Sequence, residues 1–277
     1  VSSFGTRLAA AVRELGPLCA GIDPHPGLLA EWGLTDDADG LARFADACVE
    51  AFAGHVAIVK PQSAFFERHG SRGIAVLERL LADLAGTRTL SLLDVKRGDI
   101  GSTMDGYADA YLGIGAPLGA DAVTLSPYLG FGSLDPALRR ARDAGRGVFV
   151  LARTSNPEGA EVQQATLAER SVAQAVVDGA SARNAGAEPL GDVGVVVGAT
   201  ADHGLSLQAL NGAVLAPGLG AQGATAEDVA RCFAGVSGLV LPAASRSLLK
   251  AGPQPSAIRA AAAATRDDLD QAFSAAR

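Results

Sequence analysis

Residues 92–103, LLDVKRGDIGST, place Asp94, Lys96, Arg97 and Asp99 within six positions at the end of an apolar run. Side chains alternate along an extended segment, so Asp94 and Lys96 share one face, about 6.6 Å apart along the backbone, while Val95 and Arg97 take the other. A second lysine, Lys60, closes another β-branched run, HVAIVK. Of the 23 basic residues only Lys60, Lys96 and Lys250 are lysine, so arginine is the default cation of this chain. An ammonium can give up a proton and a guanidinium cannot, which makes the two strand-end lysines candidates for proton chemistry. Taken alone, Asp94 and Lys96 also fit an ordinary strand-end ion pair. Two lysines interleaved with two acids do more, because each charge then holds its neighbours charged and in place. A ligand carboxylate pushed against such a fixed acid is repelled by about 4 kcal/mol at ~4 Å and an effective dielectric of ~20, and departure as carbon dioxide relieves the repulsion. Enzymes remove roughly 8 to 23 kcal/mol of barrier, so the larger share must come from Lys96 stabilising the developing carbanion and protonating it.

A second group of residues suits an anion. The segment APGLGAQG, 216–223, places three glycines where backbone N–H groups can face an oxyanion, and SRSLL, 245–249, sets Arg246 where the final helix should begin. A glycine-rich loop by itself is also an ordinary turn, and no G-K-[ST] follows to make it a nucleotide triphosphate loop.

These residues need elements to position them. Short β-branched or leucine-rich runs at 18–23, 55–60, 89–96, 121–126, 147–152, 192–198, 212–217 and 237–242 alternate with alanine-rich segments of helical spacing. Phe44, Ala47, Cys48 and Ala51 make one helical stripe, and Leu77, Leu80, Leu81 and Leu84 another. Alternating strands and helices imply parallel pairing, and eight such units in about 250 residues predict an α/β fold, a single-domain (β/α)8 TIM barrel over 1–277. An extra N-terminal helix over 3–15 precedes the first strand, and a C-terminal helix over 255–276 follows the last. An open doubly wound sheet is the alternative, but LCAGIDPHPG lacks G-x-G-x-x-G. Barrel chemistry sits at the C-terminal strand ends, where Asp23, Lys60, Asp94, Lys96, Ser126, Ser155, Gln222 and Arg246 fall. Ser102 and Asp105 resemble an S-x-x-D helix start, leaving Asp99 on the loop or first turn. Of the four histidines His25 lies nearest the mouth, but its loop position among prolines favours a surface role.

Composition narrows the partners. A hydrophobic content of 48% over 277 residues supports a sizeable core. The formal charge of −7 and the lack of a basic stripe disfavour nucleic acid. No apolar stretch reaches the ~18 residues of a membrane span and no basic-then-apolar leader opens the chain, so a cytoplasmic protein is expected. Cys19, Cys48 and Cys232 lie far apart with no C-x-x-C spacing, which favours free thiols over a disulfide or metal site.

The segment DVKRGDIGST resembles the D-x-K-x-x-D-I signature of the orotidine 5′-phosphate decarboxylase family, and ARTSNPEG, PGLGAQG and the late arginine follow in the family's order. The match runs from Asp23 to Arg246 and is most similar to the bacterial long-loop (type 2) subgroup. The resemblance implies decarboxylation of orotidine 5′-monophosphate to UMP and CO2, with no cofactor and no metal. It implies a charged tetrad of Lys60, Asp94, Lys96 and Asp99, with Lys96 protonating C6 of the pyrimidine and Asp94 beside the substrate carboxylate. It also implies a homodimer in which Asp99, Ile100 and Thr103 reach the partner's site. Asp23 would bind a ribose hydroxyl, Ser155 or its neighbour Asn156 the pyrimidine edge, and Gln222 and Arg246 the phosphate, with Pro217 lining the pocket. Two departures stand out: Ser245 replaces a frequent glycine before the phosphate arginine, and SPYLG replaces a frequent histidine-bearing segment. Two rivals remain. One is a barrel sharing D-x-K-x-x-D that acts on keto-sugar phosphates through magnesium, which Lys60 would repel. The other is a non-catalytic phosphoribosyl-ligand binding barrel, which would gain nothing from the paired lysines and acids.

Overall fold

In the computed structural model, which describes residues 2–199, 203–220, 223–236 and 238–276, all eight expected runs become strands. They are β1 (Cys19–Ile22), β2 (Ile58–Pro61), β3 (Leu90–Arg97), β4 (Ala122–Leu125) and β5 (Gly147–Arg153), then, after a hairpin of β6 (Thr166–Leu167) and β7 (Arg170–Ser171), β8 (Val193–Val197), β9 (Val214–Pro217) and β10 (Val240–Ala244). The eight long strands pair in parallel and close into a barrel, with β1 bonded to both β2 and β10. Helices cover the outside, as parallel strands with crossovers require.

Alternation along each strand divides the core in two. Val59, Leu93, Val95, Val123, Val148 and Val150 face outward and pack with the helical stripes, including Phe44, Cys48, Leu77 and Leu81. Cys19, Ile58, Leu90, Leu92, Phe149, Leu215 and Leu241 face inward and fill the lower barrel. The helix Phe4–Leu15 caps the N-terminal end of the barrel. Its Phe4 sits edge-on to Phe149 at 6.1 Å between ring centroids, a fit that requires glycine at 147, where a Cβ would lie 2.2 Å from the Phe4 ring. With the bottom filled by hydrocarbon, the continuing inward positions at the top are left for polar side chains.

Several boundaries differ from the sequence expectation. β2 starts at Ile58, because His55 belongs to a turn whose N–H bonds Phe52 O. β10 starts three residues and ends two residues later than expected and carries Pro242 inside it. The helix after β3 spans Gly101–Tyr111 with Ile100 as its cap and no side-chain cap. Ser102 therefore lies within the first turn, and the S-x-x-D start is not formed. Arg246 opens a short turn, Arg246–Leu249, while the long C-terminal helix begins separately at Pro255 and runs to Ala275. The β6–β7 hairpin, which is too short to leave a periodic signal, was not expected. Cys19 and Cys48 are buried free thiols, whereas Cys232 is only partly buried.

Candidate active site

The inward positions above the hydrocarbon layer open into a cavity of about 350 Å³ at the C-terminal mouth of the barrel. Asp94 lies near its centre and is only 6% exposed. Each of its carboxylate oxygens receives two donors. Lys96 Nζ and Thr124 Oγ1 donate to Oδ1 at 2.6 and 2.8 Å. Lys60 Nζ and Gln62 Nε2 donate to Oδ2 at 3.2 and 3.0 Å. A carboxylate has about four lone-pair sites, so the protein itself fills them all. Beyond Lys60, Asp23 Oδ1 lies 4.0 Å from the ammonium, giving the row Asp23, Lys60, Asp94, Lys96 with alternating charge.

Electrostatics follow from this crowding. Burial would raise the Asp94 pKa, but Lys60 and Lys96, helped by the hydrogen bonds of Lys96 and Thr124, bring it down to about 2. Burial would likewise discharge Lys60, yet Asp23 and Asp94 outweigh it and hold the pKa above the usual lysine value. The groups are fixed in their charged forms at neutral pH.

β3 is locally irregular where it carries this chemistry. Leu93 pairs with Val123 and Arg97 with Leu125, so four steps on β3 match two on β4. Lys96 adopts φ +46°, a left-handed conformation that L side chains seldom take. Arg97, on the outer face as its parity requires, donates to Glu67 Oε1 at 2.7 Å and to the carbonyl of Val95. It lies 5.8 Å over the Tyr107 ring. It braces the strand end and is not among the residues lining the main cavity, although with Lys96 and Glu67 it lines a shallower pocket beside it.

The sequence profile of the orotidine 5′-phosphate decarboxylase / HUMPS family matches residues 16–261. The chain belongs to that family. A Salinispora arenicola protein named orotidine 5′-phosphate decarboxylase is 61% identical over 264 residues, which are 95% of each chain. A Streptomyces coelicolor protein of the same name is 55% identical over 94% of each. A solved Streptomyces avermitilis structure, described as a candidate orotidine 5′-phosphate decarboxylase, superposes with a TM-score of 0.96 at 51% identity, covering 99% of this chain and 97% of that one.

Against the site expected of an orotidine 5′-phosphate decarboxylase, the barrel brings Asp23, Lys60, Asp94, Lys96, Ser155, Pro217 and Arg246 to one cavity, with Asn156 beside Ser155 in its wall. Asp99, Ile100 and Thr103 are not among the residues lining it. Asp99 Oδ1 accepts the N–H of Ile100 instead, and Ile100 is 61% exposed. Gln222 lies outside the described residues. In the glycine loop, the N–H of Gly220 bonds Ala224 O and that of Gly223 bonds Gly220 O. Those two amides close the turn and do not present themselves to an anion, so only part of the loop fits the expected cradle. His25, nearest the mouth of the four histidines, lines the cavity while partly exposed, its ring edge-on to Phe65 at 4.2 Å between centroids.

Gln62 and Thr124 were missed by the sequence reading. Both have the inward parity, Gln62 two residues past Lys60 and Thr124 in the middle of β4, so the alternation applied to β3 would have found them on β2 and β4. Among the described residues no group of three or more His, Cys, Asp or Glu side chains is placed to hold a metal ion.

Proposed function

We propose that this chain decarboxylates orotidine 5′-monophosphate to UMP and CO2, the last step of de novo pyrimidine nucleotide synthesis. The observation that carries this is the buried Asp94 carboxylate held between two ammoniums at 3.2 and 2.6 Å on the cavity floor. The substrate carboxylate meets Asp94, which cannot relieve the contact by taking a proton at neutral pH. The bond from C6 to the carboxyl carbon breaks, its electron pair stays on C6, and CO2 departs. Lys96 stabilises that pair electrostatically and then transfers its proton to C6, to be reprotonated by solvent. Arg246, exposed at the cavity rim, and Gln222 take the phosphate, whose binding energy holds the pyrimidine in place for the reaction. Asp23 receives a ribose hydroxyl, in keeping with its buried Oδ1 lacking a hydrogen-bond donor. Ser155, with Asn156 next to it, addresses the pyrimidine edge above Pro217.

The site is completed by a second copy of the chain. Asp99, Ile100 and Thr103 stand off their own cavity past the end of β3, and the exposed Tyr128 (79%) and Leu129 (53%) follow β4, whose end is tied to β3 by the bond from Ser126 N–H to Arg97 O. An apolar rim of that kind at the active-site end suits a symmetric partner that receives these three residues.

Incubating the purified chain with orotidine 5′-monophosphate in excess chelator should yield UMP and CO2 in equal amounts. A dependence on added magnesium would favour the keto-sugar-phosphate chemistry of the same superfamily, and binding without turnover would favour a ligand-binding barrel. The four protein donors on Asp94 already speak against a metal there, since they leave its oxygens no free lone pair.

A further inference from the structure

The bulge in β3 interrupts the backbone ladder to β4 between Leu93 and Arg97, and one side chain of β4 bonds the backbone there. The N–H of Lys96 donates to Thr124 Oγ1 at 2.9 Å, and the same hydroxyl donates to Asp94 Oδ1 at 2.8 Å. Lys96 Nζ reaches that oxygen from the other side at 2.6 Å. Lys96 backbone, Thr124 hydroxyl, Asp94 carboxylate and Lys96 ammonium thus form a closed ring. Thr124 is 1% exposed, so no water competes for its hydroxyl. On the opposite oxygen Gln62 donates at 3.0 Å, and its own backbone N–H is tied to Ile22 O.

Resting on the decarboxylase reading above, we propose that Thr124 and Gln62 are positioning residues of the reaction, two neutral donors that fix the Asp94 carboxylate and, through Thr124, hold Lys96 in its strained backbone conformation. Strain of that kind persists only where the surroundings over-determine it, and the Thr124 hydroxyl is the contact that does so. A carboxylate lacking either donor can rotate away from an approaching anion, and an unanchored Lys96 can relax away from the reacting carbon. Neither residue carries charge, so the alternation of acid and base does not depend on them. Their effect is on geometry, and belongs to the rate more than to the binding of substrate.

The test is steady-state kinetics of Thr124→Val and Thr124→Ser beside wild type. Valine keeps the shape and removes the hydroxyl, and serine restores the hydroxyl without the methyl. Thr124→Val should lose about tenfold to a hundredfold in kcat, the range of a hydrogen bond to a charged group, with KM nearly unchanged. Thr124→Ser should recover most of it. Wild-type kcat in Thr124→Val overturns the proposal, as do equal losses in both variants, because packing would then be the cause. Should Thr124→Val fail to fold, Gln62→Met at the open barrel mouth decides: a tenfold or greater loss in kcat at constant KM supports the clamp, and no loss overturns it. An inactive wild type would overturn the decarboxylase reading itself, which is a separate outcome.

Discussion

At the scale of single residues, Asp94 shows how a buried charge is kept. Desolvation of a carboxylate costs several kcal/mol unless partners replace water, and here Lys60, Gln62, Lys96 and Thr124 replace it completely. The consequence for stability has a definite sign. The folded-state pKa of about 2 lies below the ordinary 3.8, so ionised Asp94 contributes stability that is present above 3.8 and is lost as pH falls towards 2. Lys60, whose pKa is raised, stays charged in both states over that range and adds no slope there. The urea midpoint of the wild type should therefore fall between about pH 4 and pH 2, and that of Asp94→Asn should fall less steeply. Parallel curves for the two proteins would show that Asp94 is not held as described.

At the scale of elements, β3 combines two demands that conflict. Its lower half must be a regular, doubly buried barrel strand, and Leu90, Leu92 and Leu93 meet that demand. Its upper half must turn Asp94 and Lys96 onto one point, and it does so by a bulge and a positive φ at Lys96. A left-handed conformation costs an L residue roughly 1–2 kcal/mol that glycine does not incur. Lys96→Ala and Lys96→Gly both remove the ammonium and should both be inactive, yet Lys96→Gly should be the more stable by about 1 kcal/mol in chemical denaturation. The reverse order, expected for a regular strand in which glycine only loses packing and entropy, would contradict the strained backbone. Arg97 supports the same bulge from outside through Glu67 and Tyr107, which explains why the third charge of LLDVKRGDIGST is an arginine: a planar, permanently charged group suits a brace.

At the scale of the whole molecule, the barrel supplies one cavity and, on the reading proposed here, only part of its wall. Asp99 ends outside its own cavity lining next to the exposed Ile100, with Tyr128 and Leu129 exposed in the loop after the neighbouring strand β4, a surface at the active-site end of the barrel. If the chain pairs with a second copy across that surface, Lys96→Ala and Asp99→Ala damage different subunits' contributions to a site. An equal mixture of the two inactive variants, allowed to exchange subunits, should regain about a quarter of wild-type activity, since half the dimers are mixed and each has one intact site. No recovery, with exchange verified by differently tagged chains, would place both residues in the same subunit's site.

The number of strands, their parallel sense and the inward face of β3 were legible in the sequence, because apolar period and alternation are local properties of the chain. That Lys60 reaches the place where Asp94 and Lys96 converge was legible too, as Lys60 and Lys96 close neighbouring strand-like runs. Helix starts were less so: Ser102 and Asp105 carry a capping pattern, but the bulged end of β3 delivers the chain to Gly101 already turned, and the helix begins there. The glycines of 216–223 announced a tight turn without saying which amides the turn itself would consume. Only the tertiary structure decided that Thr124 and Gln62 converge on the two oxygens of Asp94 and that Arg97, on the outer face its parity assigns, pairs with Glu67. Those facts depend on barrel closure and on the register of β3 against β4, where two extra residues shift every later side chain, and register is set by packing between strands distant in sequence.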